Sequence, residues 1–103
     1  MPGITVPPPT EAEAMQLATG HSRDTAEISA NVTNAILNDT LESQAPSLKR
    51  SILVLNNDIE WLTNAARTQN YQNPEILRIL ERSHASLQLI EKMVRIGLDE
   101  DAA

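Results

Sequence analysis

The stretch Ile52-Leu53-Val54-Leu55 sits inside "SILVLNNDIEWL", residues 51–62, and its reading decides the fold. Four consecutive apolar residues, two of them β-branched, suit either a buried strand or a helix with more than one apolar face. Spacing separates the two. Leu48, Ile52, Leu55, Ile59, Leu62, Ala66 and Gln69 follow one another at intervals of 4, 3, 4, 3, 4 and 3. That is the stagger of a coiled-coil-like helical seam, whereas a half-buried strand needs a period of two. The polar run Asn56-Asn57-Asp58 would also end a strand at once. The segment is therefore expected to be helical, over about 47–68.

Working outward, the polar run "RTQNYQN" at 67–73 reads as a loop. Asn73-Pro74-Glu75 then has the chemistry of a helix start: an asparagine cap, proline in the first turn and a carboxylate near the positive end of the macrodipole. A helix is expected over about 74–96, with Ile76, Ile79, Leu80, Ser83, Leu87, Ile90, Met93 and Val94 on its inner face and Gly97 placed to end it. The residues taken as the packing seam of the two helices are Leu48, Ile52, Leu55, Ile59, Leu62, Ile76, Leu80, Leu87, Ile90 and Val94.

Upstream, Ala45-Pro46-Ser47 favours a turn, because proline fits the first turn of a helix and disrupts an interior; the alternative is one long bent helix. A first long helix is then expected over about 22–44. Its wet stripe is Asp24, Glu27, Asn31, Asn34, Asn38 and Glu42, and the rest of its surface, with Ile28, Val32, Ile36, Leu37 and Leu41, is expected to be largely buried. Before it, Thr10 and Glu13 have capping-box spacing and start a short helix that Gly20 interrupts. Residues 1–9 hold four of the six prolines and read as a disordered, Pro-rich arm, and residues 99–103 as an acidic tail. The whole is expected to be all-α: an antiparallel helical hairpin or a three-helix bundle, occupying residues 10–98 as one domain.

Composition narrows the function classes. Eight basic residues stand against 14 acidic ones, a formal charge of −6, which argues against nucleic acid and anionic lipid as partners. Cysteine is absent, and with it disulfides and thiolate metal sites. Trp61 and Tyr71 are the only aromatics, little for closing a catalytic pocket. The start of the chain, "MPGITVPPPT", has no basic region and no apolar run of signal-peptide length, and no apolar run approaches a membrane span. An intracellular, cytoplasmic protein is the expectation.

Sites for chemistry are sparse. His21 and His84 lack a second ligand at metal spacing, and Glu75, Glu81 and Glu91 fit a solvated helix surface better than acid–base work. Neither a phosphate-cradling glycine loop, an EF-hand nor a His-Glu-x-x-His helix occurs. The two glycosylation-type triplets, at Asn31 and Asn38, lie in an asparagine- and threonine-rich stripe where such triplets arise by chance. No catalytic, cofactor or metal site is expected.

The informative feature is a surplus. Val54 and Trp61 lie seven residues apart off the seam of their helix, and Leu89 and Ile96 repeat that arrangement further on. Each large apolar group taken out of water contributes roughly 1.5–3 kcal/mol, so these four are the expected partner-binding residues. The function expected is a non-catalytic helical adaptor or structural subunit that assembles with other helical chains, as hetero-complex or homo-oligomer. Alternatives are a subunit or chaperone of a secretion or filament assembly, and a small acidic inhibitory binding protein such as viruses make.

Overall fold

In the computed structural model, which describes residues 7–100, three helices pack against one another: α1 Glu11–Leu37, α2 Leu41–Thr68 and α3 Pro74–Gly97. The chain is an all-α three-helix bundle, and no strand occurs among the described residues. Residues 52–55 lie within α2, so the heptad spacing, not the apolar run, was the deciding signal. At 27, 28 and 24 residues the helices are longer than the expected spans 22–44, 47–68 and 74–96. Their length of about 1.5 Å per residue accounts for the 43 Å long axis of the molecule.

The core is built from three matching seams. On α2 the buried residues are Leu41, Ala45, Leu48, Ile52, Leu55, Ile59, Leu62 and Ala66. On α3 they are Ile76, Leu80, Ser83, Leu87, Ile90 and Val94. All ten residues expected in the packing seam are thus buried, six of them at 1% exposure or less. α1 contributes Ala14, Ala18, Thr25, Ile28, Val32 and Ala35. Thr25 satisfies its buried hydroxyl by donating to the carbonyl of His21, one turn back, at 2.7 Å.

Four sequence expectations need correction. First, Gly20 does not interrupt anything: α1 runs through it without a break. An interior glycine costs about 1 kcal/mol relative to alanine, but Ala14 and Ala18 before it and Thr25 after it all dock into the core, and that packing prevails. Second, the first turn lies at Asn38-Asp39-Thr40 and not at Pro46, so α1 spans 11–37 rather than 22–44 and α2 starts at Leu41 rather than 47. Pro46 stands exposed inside α2, with Leu41 and Ala45 buried on the N-terminal side and Leu48 beyond it, which holds helical geometry across the missing N–H. Third, α1 is not largely buried: Leu37 is 77% exposed and Ile36 and Leu17 42% each. Fourth, Met93 faces outward and Ile79 is only half-buried.

The turn between α1 and α2 has a definite mechanism. Asp39 takes the left-handed conformation, φ 56°. Thr40 N–H then reaches the carbonyl of Ala35 at 2.8 Å, and Asp39 N–H that of Ile36 at 3.2 Å, the two bonds of a Schellman stop. The same pair of bonds ends α3, with Asp99 at φ 63°, Glu100 N–H on the carbonyl of Arg95 and Asp99 N–H on that of Ile96. α2 ends on left-handed Asn70, φ 54°, with Tyr71 N–H on the carbonyl of Ala66 at 3.5 Å. Glycine plays no part in these turns, because asparagine and aspartate tolerate this conformation well enough. Gly97 serves differently. Its φ is negative, and a Cβ there would run into the side chain of Leu41, so it lets the end of α3 approach the start of α2.

At the other end the bundle is latched by its first turn. Thr10 and Glu13 form the expected capping box, at 2.9 and 3.2 Å. Glu11 accepts from the backbone N–H of Gln72 at 2.7 Å, and the Tyr71 hydroxyl donates to the carbonyl of Pro9. The α2–α3 loop is therefore tied to the start of α1. Asn73 caps α3, accepting from Glu75 N–H at 3.0 Å, with Pro74 as its first residue. Of the expected disordered arm, residues 1–6 lie outside the described residues, as do 101–103 of the acidic tail. Asp99 and Glu100 belong to the stop of α3, and Glu100 pairs with Lys49 of α2 at 2.7 Å.

Candidate functional site: the apolar flanks of the bundle

Among the described residues, nine large hydrophobic side chains remain exposed outside the core: Leu17, Ile36, Leu37, Leu53, Val54, Trp61, Leu89, Met93 and Ile96. The four expected partner-binding residues are among them, Val54 at 53% exposure, Trp61 at 45%, Leu89 at 64% and Ile96 at 58%. Both pairs lie off the heptad seams, and three seams at this spacing leave no room for them inside. None of the four belongs to the buried core.

They do not all share one surface. Val54 lines a groove between α1 and α2, with Asp24, Glu27, Ile28 and Asn31 on one wall and Arg50, Ser51, Leu55 and Asp58 on the other. The two helices run in opposite directions there, Asp24 opposite the Asp58 end. Trp61, seven residues past Val54, and Leu17, seven before Asp24, are carried by helical periodicity onto the same two walls toward the latched end. Three residues of the polar stripe on α1 thus border an apolar floor.

Leu89 lines a second groove, between α1 and α3. Its floor and walls are small: Ser22, Thr25, Ala26 and Ser29 from α1, and Ser83 and Ser86 from α3, with Arg82, Ile90 and Met93. Ile96 continues the Leu89 stripe, and Ile36 lies seven residues past Ser29. Leu53 falls on a third side, in a groove between α2 and α3 with Lys49, Asn56, Glu91 and Arg95. So the structure brings Val54 together with the α1 carboxylates, and Leu89 with Met93, but it puts Val54 and Leu89, one from each expected pair, in different grooves. Sequence reading found the off-seam residues on α2 and α3. It missed Leu17, Ile36, Leu37 and Met93, because it assigned the α1 residues and Met93 to inner faces or to none. The signal available for Leu17 was its spacing to Asp24 and Asn31.

Two titrating groups at the latched end are displaced from their ordinary values. Glu13 is lowered, chiefly by the Thr10 backbone N–H it accepts from and then by the Thr10 hydroxyl. Tyr71 is raised by burial first, and then by the charges of Glu11 and Glu13. Neither lies in a groove. Among the described residues no three His, Cys, Asp or Glu side chains converge as a metal site would need, and no helix is long and apolar enough to cross a membrane. His21 and His84 are half-buried on separate helices, His84 beside Glu81 and Arg67 in an α2/α3 groove. What the flanks offer is apolar surface along rods of some 36–42 Å at 1.5 Å rise per residue. Comparison with protein-family models, curated proteins and solved structures finds no match for this chain.

Proposed function

We propose that this protein is a non-catalytic helical adaptor or structural subunit, whose work is to pack its flanks against helices of other chains. One observation carries the reading. The exposed large hydrophobics are arranged as helical stripes, Val54 with Trp61 and Leu89 with Ile96, each pair spaced by seven residues beside a groove. Scattered surface leucines need no explanation, but aligned apolar stripes bordering grooves mark surfaces that other helices cover. The mechanism is burial: a helix laid in such a groove removes these side chains from water, and small residues such as Ala26 and Ser29 let its backbone come close.

The reading is tested with a photoreactive phenylalanine analogue placed singly at 54, 61, 89 or 96 and illuminated in the native cell. Discrete cross-links to another protein are expected at these positions and not at the polar controls Asn34 and Gln88. Cross-linking no greater than at the controls would refute it. Products that are ladders of this chain alone would instead identify a self-assembling subunit.

A further inference from the structure

The α1/α2 groove carries more information than its apolar floor. Its walls hold three carboxylates, Asp24, Glu27 and Asp58, against one guanidinium, Arg50. None of the four is engaged in an ion pair or side-chain hydrogen bond with another described residue. Carboxylates left unpaired on both walls of an apolar trough give it a sign, and the chain as a whole carries −6. Next to them on α1 lies Gly20. A side chain there would meet nothing within 4 Å, so the bundle itself has no use for a glycine at that point. Gly20 falls on the Leu17–Asp24–Asn31 stripe, and bare backbone allows close approach by an incoming helix. The α1/α3 groove lacks this rim, its one charged lining residue being Arg82.

We infer that the α1/α2 groove is the docking site for a basic amphipathic helix of another polypeptide. That inference rests on the adaptor reading and names the chemistry of its partner. The helix lays apolar residues on Val54, Trp61 and Leu17 and places Lys or Arg toward Asp24, Glu27 and Asp58. Charge complementarity fixes its orientation and speeds encounter, while the apolar contacts hold it.

Trp61, the only tryptophan of the chain, lies seven residues past Val54 on the same side of α2 and serves as the reporter of this groove. Two Trp-free synthetic helices of about 18 residues are titrated onto the full chain, both with leucines at i, i+3, i+4 and i+7 spacing, one flanked by lysines and the other by glutamates. The lysine peptide is expected to shift Trp61 emission to the blue and to bind at least roughly tenfold more tightly than the glutamate peptide, a preference that salt erodes. Asp24→Lys with Asp58→Lys should invert the preference, whereas Glu91→Lys, outside the groove, should leave it in place. Equal binding of the two peptides, no binding, or a preference indifferent to the Asp24 and Asp58 reversals would overturn the proposal. So would a dimer of this chain, by light scattering, that the double reversal dissolves, since the occupant would then be a second copy. Failure here with cross-links persisting at position 54 removes the basic helix and leaves the adaptor; loss of the cross-links as well removes both.

Discussion

α1 and α2 are nearly the same length, 27 and 28 residues, yet they enter the core on different terms. α2 buries five large aliphatics in its middle, Leu48, Ile52, Leu55, Ile59 and Leu62, without a gap in the heptad spacing. α1 buries three alanines, a threonine, and only Ile28 and Val32 as larger groups. Burial of a large aliphatic contributes roughly 1.5–3 kcal/mol, and alanine far less. So α2 is the keel of the bundle, and α1 is held close by small residues and by the latch to the α2–α3 loop. A helix that packs through alanines brings its backbone near its neighbours and leaves grooves along both sides. The grooves lined by Val54 with α1 carboxylates and by Leu89 with Met93 both border α1.

The largest expected effect comes from attacking the keel. Leu62→Ala, at a fully buried position, should cost about 3–4 kcal/mol in urea denaturation, and Val32→Ala on α1 about 2 kcal/mol. Equal losses would erase the distinction between the two helices. Opposite in sign, and next in size, are the two interior helix breakers. Pro46→Ala should stabilise by about 2 kcal/mol, after allowance for the stiffness that proline gives the unfolded chain. Gly20→Ala should stabilise by roughly 0.5–1 kcal/mol, because the added methyl meets no neighbour. A loss of stability in Pro46→Ala would mean that α2 is not helical across that residue.

The same contrast explains what could be read from the sequence. α2 and α3 were legible because large aliphatics at alternating spacings of four and three leave a sharp imprint. α1 was only half legible. Ala14, Ala18, Thr25 and Ala35 form a proper inner face, but small and polar residues are too common on wet surfaces to announce one. Its end carries no glycine, the usual left-handed residue; Asp39 takes that conformation instead. Pro46 then drew the turn toward itself, where burial of Leu41 and Ala45 outweighs the local cost. Of the candidate surface, Val54, Trp61, Leu89 and Ile96 stood out as residues the seams had no place for. That Val54 shares a groove with Asp24, Glu27 and Asp58 depends on how α1 lies along α2, which no local pattern encodes.

The central claim is that the apolar flanks are surplus to the fold of this chain. It is tested most directly by urea denaturation of the fourfold variant Val54→Ser, Trp61→Ser, Leu89→Ser and Ile96→Ser beside the parent, followed by far-ultraviolet circular dichroism. Surface changes of this kind usually fall within about 0.5 kcal/mol each, so a midpoint close to the parent's and unchanged helicity are expected. A collapse of the transition by several kcal/mol, or loss of helical signal in water, would place those side chains in the protein's own core and contradict the account.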